Sequence, residues 1–138
     1  MFLPQNAKVS GDSLKYIFND KWEDTRGYIT SNWISTHDRL IWNYRSISDG
    51  WFDIEMTYGA PPEVSGSTFS INSGDEKLSG TTENTGGYYS YKTKPIGRIH
   101  LGAQSSSANL EIKAEQLMSG SLMNLKQLRL IPVPKQTF

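Results

Sequence analysis

An all-β, antiparallel sandwich is the fold class this sequence predicts, and three observations predict it. Apolar and polar residues alternate with period two over most of the chain. Turn signals built from Gly, Pro, Asn, Asp and Ser recur at short intervals. The stretch most compatible with a helix, residues 109–130, is broken by Ser119-Gly120-Ser121 and alternates before that break. Many short strands divided by such turns read as a sandwich or barrel.

The elements follow in order. Residues 14–18 are a short strand candidate behind a turn at Gly11-Asp12-Ser13. Residues 38–47, "DRLIWNYRSI", set Leu40, Trp42 and Tyr44 against Ile41, Asn43 and Arg45. After Ser48-Asp49-Gly50, "GWFDIEMTYGA" places Phe52, Ile54, Met56 and Tyr58 on one face and Asp53, Glu55 and Thr57 on the other, a half-buried strand. Ala60-Pro61-Pro62, Ser73-Gly74-Asp75, Thr85-Gly86-Gly87 and Gly102 bound shorter candidates at 68–72, 90–93 and 98–101. Leu110, Ile112 and Ala114 then alternate with Asn109, Glu111 and Lys113. The last strand falls within 122–133, where the opposite parity of Leu125 and Leu128 predicts a bulge; Pro132 and Pro134 stop it. The expected core is Leu40, Trp42, Phe52, Ile54, Met56, Phe69, Ile71, Leu110, Ile112, Leu125 and Leu128.

Composition narrows the function classes. A chain of 138 residues suits one domain, 1–138, with a core large enough to need no staple. It has no cysteine, which excludes disulfides and thiolate metal sites. Acidic and basic residues balance at 14 each without a basic block, so no nucleic-acid partner is expected. No apolar run approaches the roughly 18 residues of a membrane helix, and no membrane partner is expected. The N-terminus "MFLPQNAKVS" lacks the basic and apolar regions of a signal peptide. The expectation is a cytoplasmic protein or a domain of a longer secreted chain.

Catalytic motifs fail on their chemistry. "GDSL" at 11–14 matches the letters that name a lipase and esterase family, whose serine is activated by a histidine from an Asp-x-x-His pair. The histidines here are His37 and His100, and neither has Asp three residues before it. A serine hydroxyl without a base is a weak nucleophile. Glu23, Asp24, Glu63, Asp75, Glu76 and Glu83 fall in turns and read as solvated charge rather than a glycosidase pair. "GSTFSINSG" lacks the lysine of a phosphate-binding loop. Two distant histidines make no transition-metal site, so no cofactor is expected. A structural calcium is compatible with a sandwich, but nothing in the sequence indicates it.

The aromatic inventory remains: four Trp, seven Tyr and five Phe. Trp42, Phe52 and Tyr58 have core parity. Tyr28, Trp33, Tyr88, Tyr89 and Tyr91 stand near glycines and polar turn residues, where rings either stack on sugars or close the ends of a sandwich.

Two stretches then resemble a known family. "TGGYYSYKT" and "MNLKQLRL" are similar to the "TGGW-x-x-W" stretch and the Asn-initiated last strand of family six and family thirty-five carbohydrate-binding modules, which are galactose-binding-like β-sandwiches, so the resemblance implies a jelly-roll arrangement. The first half resembles ancillary domains of secreted bacterial α-L-fucosidases and sulfatases. Ala7, Gly11, Leu14 and Tyr16 carry that likeness, followed by Gly27-Tyr28, Trp42-Asn43-Tyr44, Gly50 to Ile54 and "PPEVSGSTFSI". The resemblance implies a non-catalytic module that binds carbohydrate weakly at one end of the sandwich. Its site would combine Tyr91, Asn124 and an aromatic from residues 28–33, Tyr28 or Trp33. It also implies a second partner, the catalytic domain of a parent or neighbouring carbohydrate-active enzyme, and an extracellular or periplasmic setting within a longer secreted chain. The alternative is a structural accessory domain without a ligand. This chain departs from the pattern in two ways. Tyr replaces Trp at both "GGW-x-x-W" positions, and the acidic pair that holds calcium in family six has no counterpart.

Overall fold

A computed structural model of the chain describes residues 2–11, 13–19, 27–44, 50–102 and 108–134. Asp12, Glu23, Asp24, Arg45, Ile47, Ser48 and Asp49, all used in the sequence reading, lie outside the described residues.

Ten strands occur among the described residues: β1 Lys8–Ser10, β2 Lys15–Asn19, β3 Gly27–Ser31, β4 Arg39–Tyr44, β5 Gly50–Gly59, β6 Thr68–Ser73, β7 Glu76–Thr81, β8 Lys92–Leu101, β9 Ala108–Gln116 and β10 Asn124–Pro132. No α-helix is present among them, so residues 109–130 are two strands rather than a helix. Every pairing is antiparallel. One sheet runs β1-β4-β9-β6-β7, the second β10-β5-β8, and β2 and β3 form a separate hairpin. β3 lies against β10, where the Leu125 N–H donates to Thr30 Oγ1 at 2.8 Å. The fold class is the expected antiparallel β-sandwich.

Alternation explains the core. Leu40 and Trp42 of β4, Ile54, Met56 and Tyr58 of β5, Phe69 and Ile71 of β6, and Leu110 and Ile112 of β9 are all at most 2% exposed. Leu125 and Leu128 of β10 join them at 0%. The register of β10 on β5 shifts between Leu125 and Gln127, so both leucines face inward despite their opposite parity. Phe52 departs from expectation. It is half-buried, because it lies near the start of β5 and packs only on the margin of the core.

Four other elements differ from the sequence reading. β8 is one strand rather than two pieces, and it begins at Lys92, not Ser90. Its register shifts opposite Ile54/Glu55, so inward parity changes between Ile96 and Ile99 and the alternation is lost at Pro95-Ile96-Gly97. β8 ends its sheet, the position where a strand tolerates proline. β1, β3 and β7 are strands that the alternation does not announce.

Candidate functional site

Three connections meet at one end of the sandwich: β3–β4, β7–β8 and β9–β10. Each is fastened by a particular side chain.

In the β3–β4 connection, Asn32 has φ 59. The chain reverses there, sending Trp33 inward and Ile34 outward; they are 1% and 53% exposed. The Trp33 indole N–H donates to the Asp38 carbonyl at 3.2 Å, and the Trp33 carbonyl accepts from Leu122 N at 2.9 Å. Trp33 therefore props the first connection against the third. The buried Asp38 carboxylate accepts from Ser13 N–H at 3.1 Å and from Ser13 Oγ at 3.0 Å. Ser13, the serine of "GDSL", thus joins the β1–β2 turn to this connection.

The β7–β8 connection is fixed through Thr85. Its hydroxyl accepts from Ala60 N at 2.8 Å, while its own N–H donates to Ala60 O at 2.9 Å. Glu83 N donates to the Tyr58 hydroxyl at 2.9 Å. Burial pushes the Tyr58 pKa up, and the Glu83 N–H opposes part of that shift. Next comes a close approach: a Cβ at Gly59 would collide with the Tyr88 carbonyl, so only glycine lets the Tyr88 backbone lie on β5. Asn124, paired with Gly59, donates its amide to the same carbonyl at 3.4 Å. Tyr88 and Tyr89 are carried half-buried on this turn.

In the β9–β10 connection, Met118 and Ser121 bridge across Ser119 and Gly120, at φ 51 and 74. Positive φ at both central residues is the signature of a type I′ turn. The buried Ser67 hydroxyl fastens it from outside, accepting from Met118 N at 2.9 Å and lying 2.8 Å from both Val64 O and Ser121 O.

Between the three connections lies a cleft of about 380 Å³. Ser31, Asn32 and Ile34 line one side, Tyr88 and Tyr89 another, Ser119, Gly120 and Ser121 the third, and Asn124 the base. None of these residues is charged. Hydroxyls, amides and tyrosines surround one aliphatic rim residue, a surface able to satisfy several hydroxyls while covering apolar C–H faces.

Of the residues expected at the site, only Asn124 lines this cleft, where it is 7% exposed. Trp33 lies beneath it with no ring face open. Tyr91 is half-buried beside it, its ring under Lys126 Nζ at 5.0 Å from the centroid. Tyr28 belongs to β3, not to a loop, and its ring packs edge-on against Tyr16 and Phe18 at 5.7 and 5.2 Å. Asn124 is thus grouped with Tyr88 and Tyr89, and with Ile34, Asn32 and Ser119, which the sequence reading missed. The available signal was the Ser-Gly pair, a turn dipeptide close before Asn124.

Two other concavities differ in chemistry. One, of about 460 Å³ on the outer face of the three-stranded sheet, is lined partly by the ion pair Asp53–Arg98. Its Oδ1–Nε distance is 2.8 Å, and the carboxylate raises the Arg98 pKa. The other, at the far end of the sandwich, includes Tyr44, Glu76 and His100. Among the described residues no group of three or more His, Asp or Glu side chains could hold a metal ion. No helix there is long and apolar enough to cross a membrane.

No protein-family model and no curated protein sequence matches the chain. Solved structures do. A family 35 carbohydrate-binding module from Clostridium thermocellum superposes with TM-score 0.75 at 12% identity, over 96% of this chain and 96% of that one. The module from Cellvibrio mixtus lichenase 5A, solved in complex with cellotriose, gives 0.72 at 16% identity, again over 96% of each chain. A Podospora anserina β-(1,4)-mannanase that carries a family 35 module gives 0.71 at 13% identity, over 99% of this chain but 28% of the enzyme. At such identities the likeness is one of fold, and the chain shares the β-sandwich of these carbohydrate-binding modules.

Proposed function

We propose that residues 1–138 form a single non-catalytic, glycan-binding domain whose ligand lies in the cleft between Tyr88, Tyr89, Ile34 and Asn124. One observation carries this reading: two half-buried tyrosines and a nearly buried amide converge, without any charge, on a cleft of about 380 Å³. That volume falls within the range of about 300–1,000 Å³ usual for ligand sites. The shared fold adds support, since one structural neighbour was solved with cellotriose bound and another is part of a mannanase.

Binding is weak in this reading. Each hydrogen bond to a sugar contributes only about 0.5–1.5 kcal/mol net, because water already satisfied the hydroxyls. Ordering the ligand offsets part of the gain. A total near −4 to −6 kcal/mol corresponds to a Kd from about millimolar to tens of micromolar. Such affinity suits a domain tethered to an enzyme acting on a polymer, where linkage raises the effective concentration. The parent in this reading is a secreted glycoside hydrolase, α-L-fucosidase being the one the sequence resemblance favours, and the setting is extracellular or periplasmic.

A glycan array followed by titration of Asn124→Ala and Tyr89→Ala tests the assignment. Each variant is expected to weaken the bound glycan at least about threefold. Affinity should also change less than about twofold between low and high salt, because the cleft lining is uncharged. Wild-type affinity in both variants removes the cleft as the site.

One observation favours a second reading, an accessory domain packed on its enzyme without a ligand of its own. Tyr16, Phe18 and Tyr28 are 43%, 54% and 40% exposed on a single hairpin. A silent array supports that reading.

A further inference from the structure

We propose that Asn32 and Ser119 determine which sugar the cleft accepts, and that the class they select is a neutral, hydroxyl-rich saccharide; this rests on the glycan-binding reading above. Among the described residues, Asn32 and Ser119 are the two non-glycine positions with positive φ, at 59 and 51. They come from different connections, yet both line the same cleft. An L side chain in the left-handed region is disfavoured by contact between its Cβ and the backbone; glycine relieves it, asparagine tolerates it, and serine has no such allowance, so the cost is greater at Ser119 than at Asn32. Positions of this kind persist where the surrounding structure over-determines them, and they cluster at ligand sites.

Each position can be compared with what folding alone would choose. Ser119 is the first central residue of a two-residue turn, followed by Gly120 at φ 74. Such turns favour Asn, Asp or Gly at that place. Serine is none of these, and what it brings instead is a hydroxyl beside the cleft. At residue 32, the reversal that buries Trp33 and exposes Ile34 needs only the backbone angle, which glycine supplies at least as well. The chain instead carries an amide there.

The chemistry of the pair sets the ligand class. An amide and a hydroxyl each present both donor and acceptor capacity, which matches adjacent sugar hydroxyls that also do both. Ser31, Ser121 and Asn124 extend the same neutral set around the cleft. A carboxylate or sulfate on the ligand would be desolvated there without a counter-charge from the lining, which is unfavourable.

The test uses the full chain and the variants Asn32→Gly, Ser119→Gly and, as reference, Asn124→Ala. Each is titrated calorimetrically with cellotriose, xylotriose, mannotriose and trigalacturonate, and each is melted. The expected result has two parts. Both glycine variants keep or raise their melting temperature, to within the chain-entropy cost of a glycine. They also bind the best neutral probe at least about threefold more weakly, or change the order of preference among the neutral probes. A merely structural role for either residue would leave that order unchanged. A glycine variant that binds every probe within about threefold of wild type, in unchanged order, overturns the assignment for its residue; loss of binding in Asn124→Ala then leaves the glycan-binding reading standing. A fall in melting temperature larger than the chain-entropy cost of a glycine also overturns it, because the native side chain would then be structural. Trigalacturonate as the tightest probe overturns the neutral class. A wild-type chain silent to all four, yet positive on the glycan array, overturns the selection of these neutral saccharides and leaves the glycan-binding reading standing; silence on the array as well removes both.

Discussion

On the β2–β3 hairpin, Tyr28 stands between Tyr16 and Phe18, with interplanar angles of 74° and 71°. At the cleft, Tyr88 and Tyr89 stand on a turn held by Thr85, by the close approach at Gly59 and by the Asn124 amide. Both regions show solvent a group of aromatic rings. They differ in what the rings are committed to and in what surrounds them. The hairpin rings satisfy one another edge to face, as aromatic quadrupoles prefer, and they sit on regular strands. The cleft tyrosines share their concavity with amides and hydroxyls drawn from three connections. If the cleft is the glycan site proposed above, an exposed aromatic is a poor indicator of a site by itself. Convergent hydrogen-bonding groups, held in place by buried anchors, are the better one.

The largest effect that sharpens this contrast belongs to a residue neither region displays. Trp33→Ala should destabilise the chain by about 3–5 kcal/mol, the range for deleting a buried large aromatic. It removes an indole that is 1% exposed and the hydrogen bond that indole donates to the Asp38 carbonyl. Urea denaturation measures the loss. A cost under about 1 kcal/mol would mean that the cleft does not rest on Trp33. Ser67→Ala comes next, at about 1–3 kcal/mol, because it strands donor and acceptor groups of a buried network. The same change loosens the Met118–Ser121 turn from outside, so glycan affinity should fall although Ser67 does not line the cleft. Unchanged affinity with reduced stability would separate the turn from the site.

How far each region could be read from the sequence follows from the same physics. Strands β4, β5, β6 and β9 have one face in the core, so alternation names their inward residues, from Leu40 to Ile112. The bulge in β10 was legible because Leu125 and Leu128 could both be buried only with an extra residue between them. β3 was not legible, since neighbouring Ile29 and Thr30 are both 0% exposed and period two vanishes. β7, "EKLSGT", lies at a sheet edge and buries little, leaving no apolar pattern to follow. At the cleft, Asn124 was named by the family resemblance, through the Asn that opens the last strand, and not by the alternation, which places that strand only within 122–133. The choice between Trp33 and Ile34 could not be read. In a connection neither helical nor strand periodicity applies, and the reversal at Asn32 decides which of two adjacent apolar residues is buried. Tyr91, which the family resemblance put at the site, lies beyond the cleft-lining pair Tyr88 and Tyr89 in the chain, and its ring lies under Lys126.

The smallest predicted effect bears on the comparison most directly. Tyr28→Ala removes the central ring of the hairpin cluster, 40% exposed in the folded chain. The part of the ring that folding covers is modest, and each edge-to-face contact adds about 0.5–1.5 kcal/mol at most, less where water reaches the rings. A total loss near 1 kcal/mol is expected. In a double-mutant cycle with Phe18→Ala, part of it should appear as coupling between the two rings, since their centroids are 5.2 Å apart. Glycan affinity should stay at the wild-type value, because Tyr28 is outside the cleft and its ring neighbours among the described residues, Tyr16 and Phe18, belong to the hairpin. The opposite pattern would break the comparison. If Tyr28→Ala abolished binding and Asn124→Ala left it intact, the sugar would lie on the hairpin, and ring–ring packing there would be the resting arrangement of a binding platform rather than its substitute.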